Sequence, residues 1–258
     1  MLMMIIWIIS ICICNCHGKI SSKIYGGRPV AVKSVHPYLV SIQYLENHYC
    51  GGSIISKNMI LTVASCLVLE TSPMVFPANI KVVITDGTSD IYDEYNNNMI
   101  YSVSYFLIHH EFKPQDSWRN DVALLKLEKS ISYYTDRMKV YLPTSWVHRA
   151  TAMSVIGWHN TKNLNIILMV VQSTKKCEEI FQSFNFRHDE QKCALAEYDH
   201  TGISEGDSGN PLFQGRTIVG LVSLYLPDKP NSVILTDVYT QVHWIKSTII
   251  RLRILLRK

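Results

Sequence analysis

From residue 38 to residue 226 the chain is a succession of short apolar runs closed by turn residues. The runs 38–44 (YLVSIQY), 59–63, 80–85, 122–127, 153–158 and 217–226 have strand length, and several alternate apolar with polar residues. Such alternation puts one face of a strand in a core and the other toward solvent. Asp86-Gly87 marks a turn, and the polar stretch 90–98 (DIYDEYNNN) reads as a loop. Many short strands with few helices predict an all-β barrel or sandwich. A polar, weakly patterned stretch near 130–140 is the natural divide between two halves. The length of 258 residues fits one large domain or two small ones.

Hydrophobic residues make up 47% and charged residues 18%, a globular balance rather than a disordered one. A net charge of +4 is too small to argue for nucleic acid, and no recognition motif for it is present. Residues 1–16 (MLMMIIWIISICICNC) carry no charge, and their apolar core is shorter than the ~20 residues a spanning helix needs. With small residues around Cys14 and Cys16, this predicts a secretory signal peptide over 1–17. Three of the seven cysteines lie within it. Cys50, Cys66, Cys177 and Cys193 remain, an even set that an oxidising compartment would pair in one of three ways. They lack metal-site spacing, and no His-rich cluster accompanies them, so no metal or cofactor is expected.

The C-terminus changes character. Residues 244–258 (WIKSTIIRLRILLRK) place Ile245, Ile249, Leu252 and Leu256 at helical spacing among five cations. This predicts a basic amphipathic helix over 246–258. Its apolar stripe either packs on the domain or leaves the last turns to touch an anionic membrane or polyanion.

Three motifs carry chemistry. Gly206-Asp207-Ser208-Gly209-Asn210-Pro211 precedes a strand-like run, Thr217-Ile218-Val219-Gly220-Leu221. Upstream stand Cys50-Gly51-Gly52-Ser53 and Thr62-Val63-Ala64-Ser65-Cys66. Between them lies Asn120-Asp121-Val122-Ala123-Leu124. With these residues in this order, the chain resembles the chymotrypsin/trypsin family of serine peptidases over 24–245. The resemblance implies two antiparallel β-barrels with a cleft between them and a C-terminal helix. Ile24-Tyr25-Gly26-Gly27 resembles the family's activated N-terminus, and Lys23 before it would end a short propeptide, 18–23.

The family's chemistry needs a base. A serine hydroxyl attacks a carbonyl only when a neighbour takes its proton, and a buried aspartate orients that neighbour. The family motif reads Ala-Ala-His-Cys, whereas this chain reads Val63-Ala64-Ser65-Cys66. The resemblance therefore puts Ser65 at the base position, with Asp121 as the acid and Ser208 as the nucleophile. A hydroxyl accepts no proton near neutral pH. Removing a principal member of such a constellation costs on the order of 10⁶ in kcat. Gly206 and Ser208 match the family's oxyanion-hole donors.

The substrate pocket departs too. Gly202 stands where trypsin-like enzymes carry an aspartate, and Ser204 where they carry a pocket cysteine. Ser223 is retained, but Tyr225 and Val233 replace pocket glycines, and Asn210 replaces a glycine after the nucleophile. Scaffold features match better. The resemblance implies disulfides Cys50–Cys66 and Cys177–Cys193 and an activation ion pair between Ile24 and Asp207. No other histidine holds a position suited to replace the base: His36, His48, His109 and His110 all read as structural or solvated. These readings predict a secreted peptidase homologue that acts by binding a peptidase, an inhibitor or another secreted protein. The alternative is an endopeptidase of low or unusual activity using Ser208 and Asp121.

Overall fold

In a computed structural model of the chain, the described residues are 27–29, 36–68, 77–84, 91–92, 99–132, 139–146, 152–158 and 164–255. The expected signal peptide, the propeptide and Ile24 lie outside them.

The first barrel contains β2 (Leu39–Tyr44), β3 (Asn47–Ser56), β4 (Met59–Thr62), β5 (Ile80–Ile84), β6 (Met99–Ile108) and β7 (Ala123–Leu127). It closes in the order β2-β3-β4-β7-β6-β5. The second contains β8 (Ala152–Gly157), β9 (Asn165–Val171), β10 (Gln191–Ala196), β11 (Pro211–Gln214), β12 (Thr217–Leu226) and β13 (Lys229–Asp237). It closes through the β8–β9 and β11–β8 pairings, and the short β1 (Arg28–Pro29) adds to β9. Pairings between the named strands are antiparallel, as the family resemblance implies. β9 shows the alternation most plainly: Asn165, Ile167, Met169 and Val171 are buried and the residues between are half-exposed.

The β2–β3 hairpin turns on two residues, Leu45 and Glu46, at φ 50° and 68°. Left-handed backbone at both matches the twist of the flanking strands. Neither residue is a usual turn former, so this turn is not legible from residue type. Helix α1 (Thr174–Ile180) starts at Ser173, whose hydroxyl accepts from the Lys176 amide. The disulfide Cys177–Cys193 then ties α1 to β10, and Cys50–Cys66 ties β3 to the short 3-10 turn Ala64–Leu67. Each closes a loop of 16 residues, worth roughly 3 kcal/mol in the chain-entropy model.

Helix α2 (Val238–Leu255) follows β13 directly. It starts eight residues before the expected 246, and residues 256–258 lie outside the described set. Ile245 is buried, and Ile249 and Leu252 are half-buried against the first-barrel core. Most of the predicted apolar stripe is thus covered by the domain itself. Among the described residues, no helix is long and apolar enough to cross a membrane.

Candidate active site

Ser65 sits on the 3-10 turn that leaves β4. Val63 and Ala64 before it are fully buried and Cys66 after it is in the disulfide, so the turn has little freedom. The Ser65 backbone N–H donates to Asp121 Oδ1 at 2.7 Å, and its hydroxyl donates to Asp121 Oδ2 at 2.9 Å. From the other barrel, the Ser223 hydroxyl donates to the same Oδ2 at 2.6 Å. Asp121 has no exposed surface, and Thr236 Oγ1 donates to its backbone carbonyl at 2.9 Å. Burial pushes the Asp121 carboxyl up to about 6, against the pull of the Ser223 and Ser65 hydrogen bonds. A carboxylate this deep is tolerable only because donors surround it.

The loop 202–210 carries Ser208 up to β3 of the first barrel. The Gly51 N–H donates to the Ser208 carbonyl at 2.8 Å, joining β3 to the loop across the barrels. Gly209 adopts φ 81°, where a Cβ would collide with the Gly51 carbonyl and Thr62 Oγ1, so glycine is required there. Gly206 adopts φ 89°. Ser208 is half-buried, and its hydroxyl makes no hydrogen bond among the described residues. The Ser65 hydroxyl is turned to Asp121, so the two serines are not linked as base and nucleophile.

His48 is the residue that sequence reasoning undervalued. Its Nε2 lies 3.0 Å from the Gly206 carbonyl and its Nδ1 lies 2.8 Å from Ser41 Oγ. A carbonyl only accepts, so Nε2 carries the proton and Nδ1 accepts from Ser41. The ring tilts against Trp158, with centroids 5.7 Å apart. His48 therefore holds the loop carrying Gly206, with both nitrogens engaged. Its place two residues before Cys50 was visible in the sequence, but its reach to Gly206 was not. His109 lies elsewhere, stacked on His110 and tilted against Trp244 of α2. Burial and the neighbouring His110 hold its ring down at about 4.

Asp207 has no exposed surface. Its Oδ2 accepts from the Ser204 N–H at 2.8 Å, and its Oδ1 accepts from Asn210 Nδ2 at 2.9 Å. Ile24, its expected partner, lies outside the described residues. Asn210 is buried between Gly51 and Gly157, where a Cβ on either glycine would collide with its amide. The sequence marked Asn210 only as a missing glycine, while its side chain is a tether for Asp207.

The pocket positions are packed. A Cβ on Gly202 would collide with the Pro230 carbonyl, which already accepts from the Ile203 N–H at 2.7 Å. The position thus has room for no side chain, charged or neutral. Val233 is fully buried with Ile203 and Val222 in the second-barrel core, and Tyr225 packs against that cluster. Tyr225 and Val233 face each other across the β12–β13 ladder. Burial, with Glu205 and Asp207 adding repulsion, holds the Tyr225 hydroxyl above its ordinary range. Ser223, read as a pocket residue, spends its hydroxyl on Asp121. Among the described residues, no group of three or more His, Cys, Asp or Glu side chains could hold a metal ion.

Known proteins share the sequence that builds this fold. The family model described as Trypsin matches residues 24–249. Trypsin 5G1 of Aedes aegypti is 29% identical over 213 residues, covering 79% of this chain and 75% of the relative. Trypsin theta of Drosophila erecta is 28% identical over 212 residues, covering 78% and 76%. CLIP domain-containing serine protease B4 of Anopheles gambiae is 25% identical over 264 residues, covering 91% and 72%.

Proposed function

The chain belongs to the trypsin family, and from that membership we propose that it is a secreted, non-catalytic peptidase homologue acting by protein binding. The observation that carries this reading is the Ser65 hydroxyl donating to Asp121 at 2.9 Å, in the position that the resemblance gives to the base. Asp121 and Ser208 are present, but the side chain between them cannot take a proton near neutral pH. The packed surroundings of Gly202, Tyr225 and Val233 support the same reading, because a substrate side chain has no pocket to enter. The charge-free segment 1–16 and the two disulfides support secretion. The partner is a peptidase, an inhibitor or another secreted protein that recognises the cleft rim. The cationic end of α2 is a second contact element, suited to an anionic surface.

One observation favours the alternative of a weak endopeptidase. The Ser208 hydroxyl is half-buried with no hydrogen bond among the described residues, and the Gly206 and Ser208 N–H groups are likewise not taken up there. Labelling by a fluorophosphonate probe, read by intact mass with Ser208→Ala beside it, separates the two. The expected result is no adduct on the parent protein. A stoichiometric adduct that disappears in Ser208→Ala would establish an activated serine and retire the non-catalytic reading.

A further inference from the structure

The outward side of α2 has a composition that its packing on the domain does not use. Lys246, Ile250, Arg253 and Ile254 follow the spacing i, i+4, i+7, i+8 and so share one face. Ile250 and Ile254 are 55% and 57% exposed, although each is a large aliphatic side chain. Tyr141, half-exposed, and Lys139 join this face, because they line with Lys246, Ile250 and Arg253 one cleft of about 370 Å³. The Arg216 guanidinium sits over the Tyr141 ring at 5.3 Å. A smaller neighbouring cleft between α2 and the β3–β4 turn is lined by Lys57, Lys126 and again Arg253. Neither cleft is lined by any carboxylate. From 238 to 258 the sequence holds five Lys and Arg and no Asp or Glu.

We infer that this face docks on an anionic lipid bilayer, with Ile250 and Ile254 entering the headgroup boundary and Lys139, Lys246 and Arg253 meeting lipid phosphates. Charge complementarity selects an anionic partner. The two exposed isoleucines select a bilayer over a soluble polyanion, which would use the cations and leave the isoleucines in water. Interfacial helices combine these elements: aliphatic side chains on one face, flanking Lys and Arg, and an amphipathic aromatic ring at headgroup level. Attachment here leaves the cleft that carries Ser208 to its own partner, since none of these residues touches Ser65, Asp121 or Ser208 among the hydrogen bonds described.

The test is co-sedimentation of the full-length mature chain with vesicles of phosphatidylcholine alone and with roughly one-third phosphatidylserine. Binding is expected on the anionic vesicles, at least about tenfold above the neutral ones, and to weaken as salt is raised. The double variant Ile250→Ser/Ile254→Ser keeps every charge and is expected to lose about tenfold. Lys246→Glu/Arg253→Glu is expected to lose binding altogether. Leu255 is 66% exposed but lies about 140° round the helix from Ile250. Leu255→Ser is therefore expected to bind like the parent. All these side chains are exposed, and equal thermal midpoints check that the variants are folded. No preference for anionic vesicles would overturn the inference. So would full binding by the isoleucine double variant, which marks a purely electrostatic site, or a loss in Leu255→Ser equal to that in the double variant.

Discussion

The two walls of the cleft use their polar groups in opposite ways. On the first-barrel wall the carboxylate is fully engaged: Asp121 takes three donors from Ser65 and Ser223, and it lies fully buried. On the second-barrel wall the loop 202–210 is firmly held from behind, by His48 on the Gly206 carbonyl and Asn210 on Asp207, yet its front is unpaired. The Ser208 hydroxyl has no hydrogen-bond partner among the described residues. One side chain accounts for the contrast. A serine at 65 is long enough to satisfy the carboxylate behind it and too short to carry that interaction forward to Ser208. Asp121 thereby accepts from both barrels, while the Ser208 hydroxyl stands in a shaped loop with no bond to Ser65.

Joining the walls should change the protein most. Ser65→His would place an imidazole between Asp121 and Ser208, with the carboxylate ready to orient it. Fluorophosphonate labelling of Ser208 is expected to speed up by a factor on the order of 10³ or more. Peptide hydrolysis is expected to stay low, because Gly202 and Val233 leave no pocket. If the rate of labelling, followed by intact mass, does not change, the loop front is not competent and the contrast between the walls goes deeper than residue 65.

The next effect concerns the paired wall alone. Burial holds the Asp121 carboxyl at about 6, against an ordinary value of 3.8. Because the folded value is raised, the native state binds this proton more tightly than the unfolded chain does. The group therefore favours the fold most at low pH, and that contribution is lost as pH rises from about 4 through about 6. The difference corresponds to about 3 kcal/mol at neutral pH. Asp121→Asn removes the titration and can still accept from the Ser65 N–H while donating to the two hydroxyls. Urea unfolding is expected to show the variant more stable than the parent at pH 7, by up to about 3 kcal/mol, with a flatter profile between pH 4 and 6. A variant less stable at pH 7 would mean that the three donors outweigh burial.

Much of the fold was legible because it rests on local pattern. The runs 38–44, 59–63, 80–85, 122–127, 153–158 and 217–226 coincide with or overlap strands of the two barrels. Both disulfides follow from the family resemblance and form as expected. The site was legible as far as chain order and register reach: Ser65 does bond to Asp121, and the Ser208 carbonyl is held by Gly51 and lies near Cys66. What escaped depends on distant partners. His48 acts on Gly206, 158 residues away. Gly202 reads as a missing charge, but the collision with the Pro230 carbonyl comes from a hairpin whose path no periodicity predicts. Leu45-Glu46 makes a left-handed turn without turn residues, since closing the barrel overrides local preference.

Asn210 gives the smallest effect and the sharpest test of how the second wall is held. Its amide donates to Asp207 Oδ1 at 2.9 Å, while its own Oδ1 is buried without a hydrogen bond among the described residues. These oppose each other. A bond to a carboxylate contributes about 1.5–3 kcal/mol, and an unsatisfied buried oxygen costs about 1–3 kcal/mol. Asn210→Gly removes both and adds backbone freedom, which costs a further ~1 kcal/mol or less. Global stability is therefore expected to fall by only about 1 kcal/mol. The local effect is larger in kind, because Asp207 also receives the Ser204 N–H, and loosening one carboxylate oxygen loosens the other. Amide exchange at 204–209 is expected to quicken about tenfold while the strands of the first barrel keep their protection. Unchanged exchange there would show that His48 and the Gly51–Ser208 bond hold the loop without Asn210, and that the second wall is as over-determined behind as the first is in front.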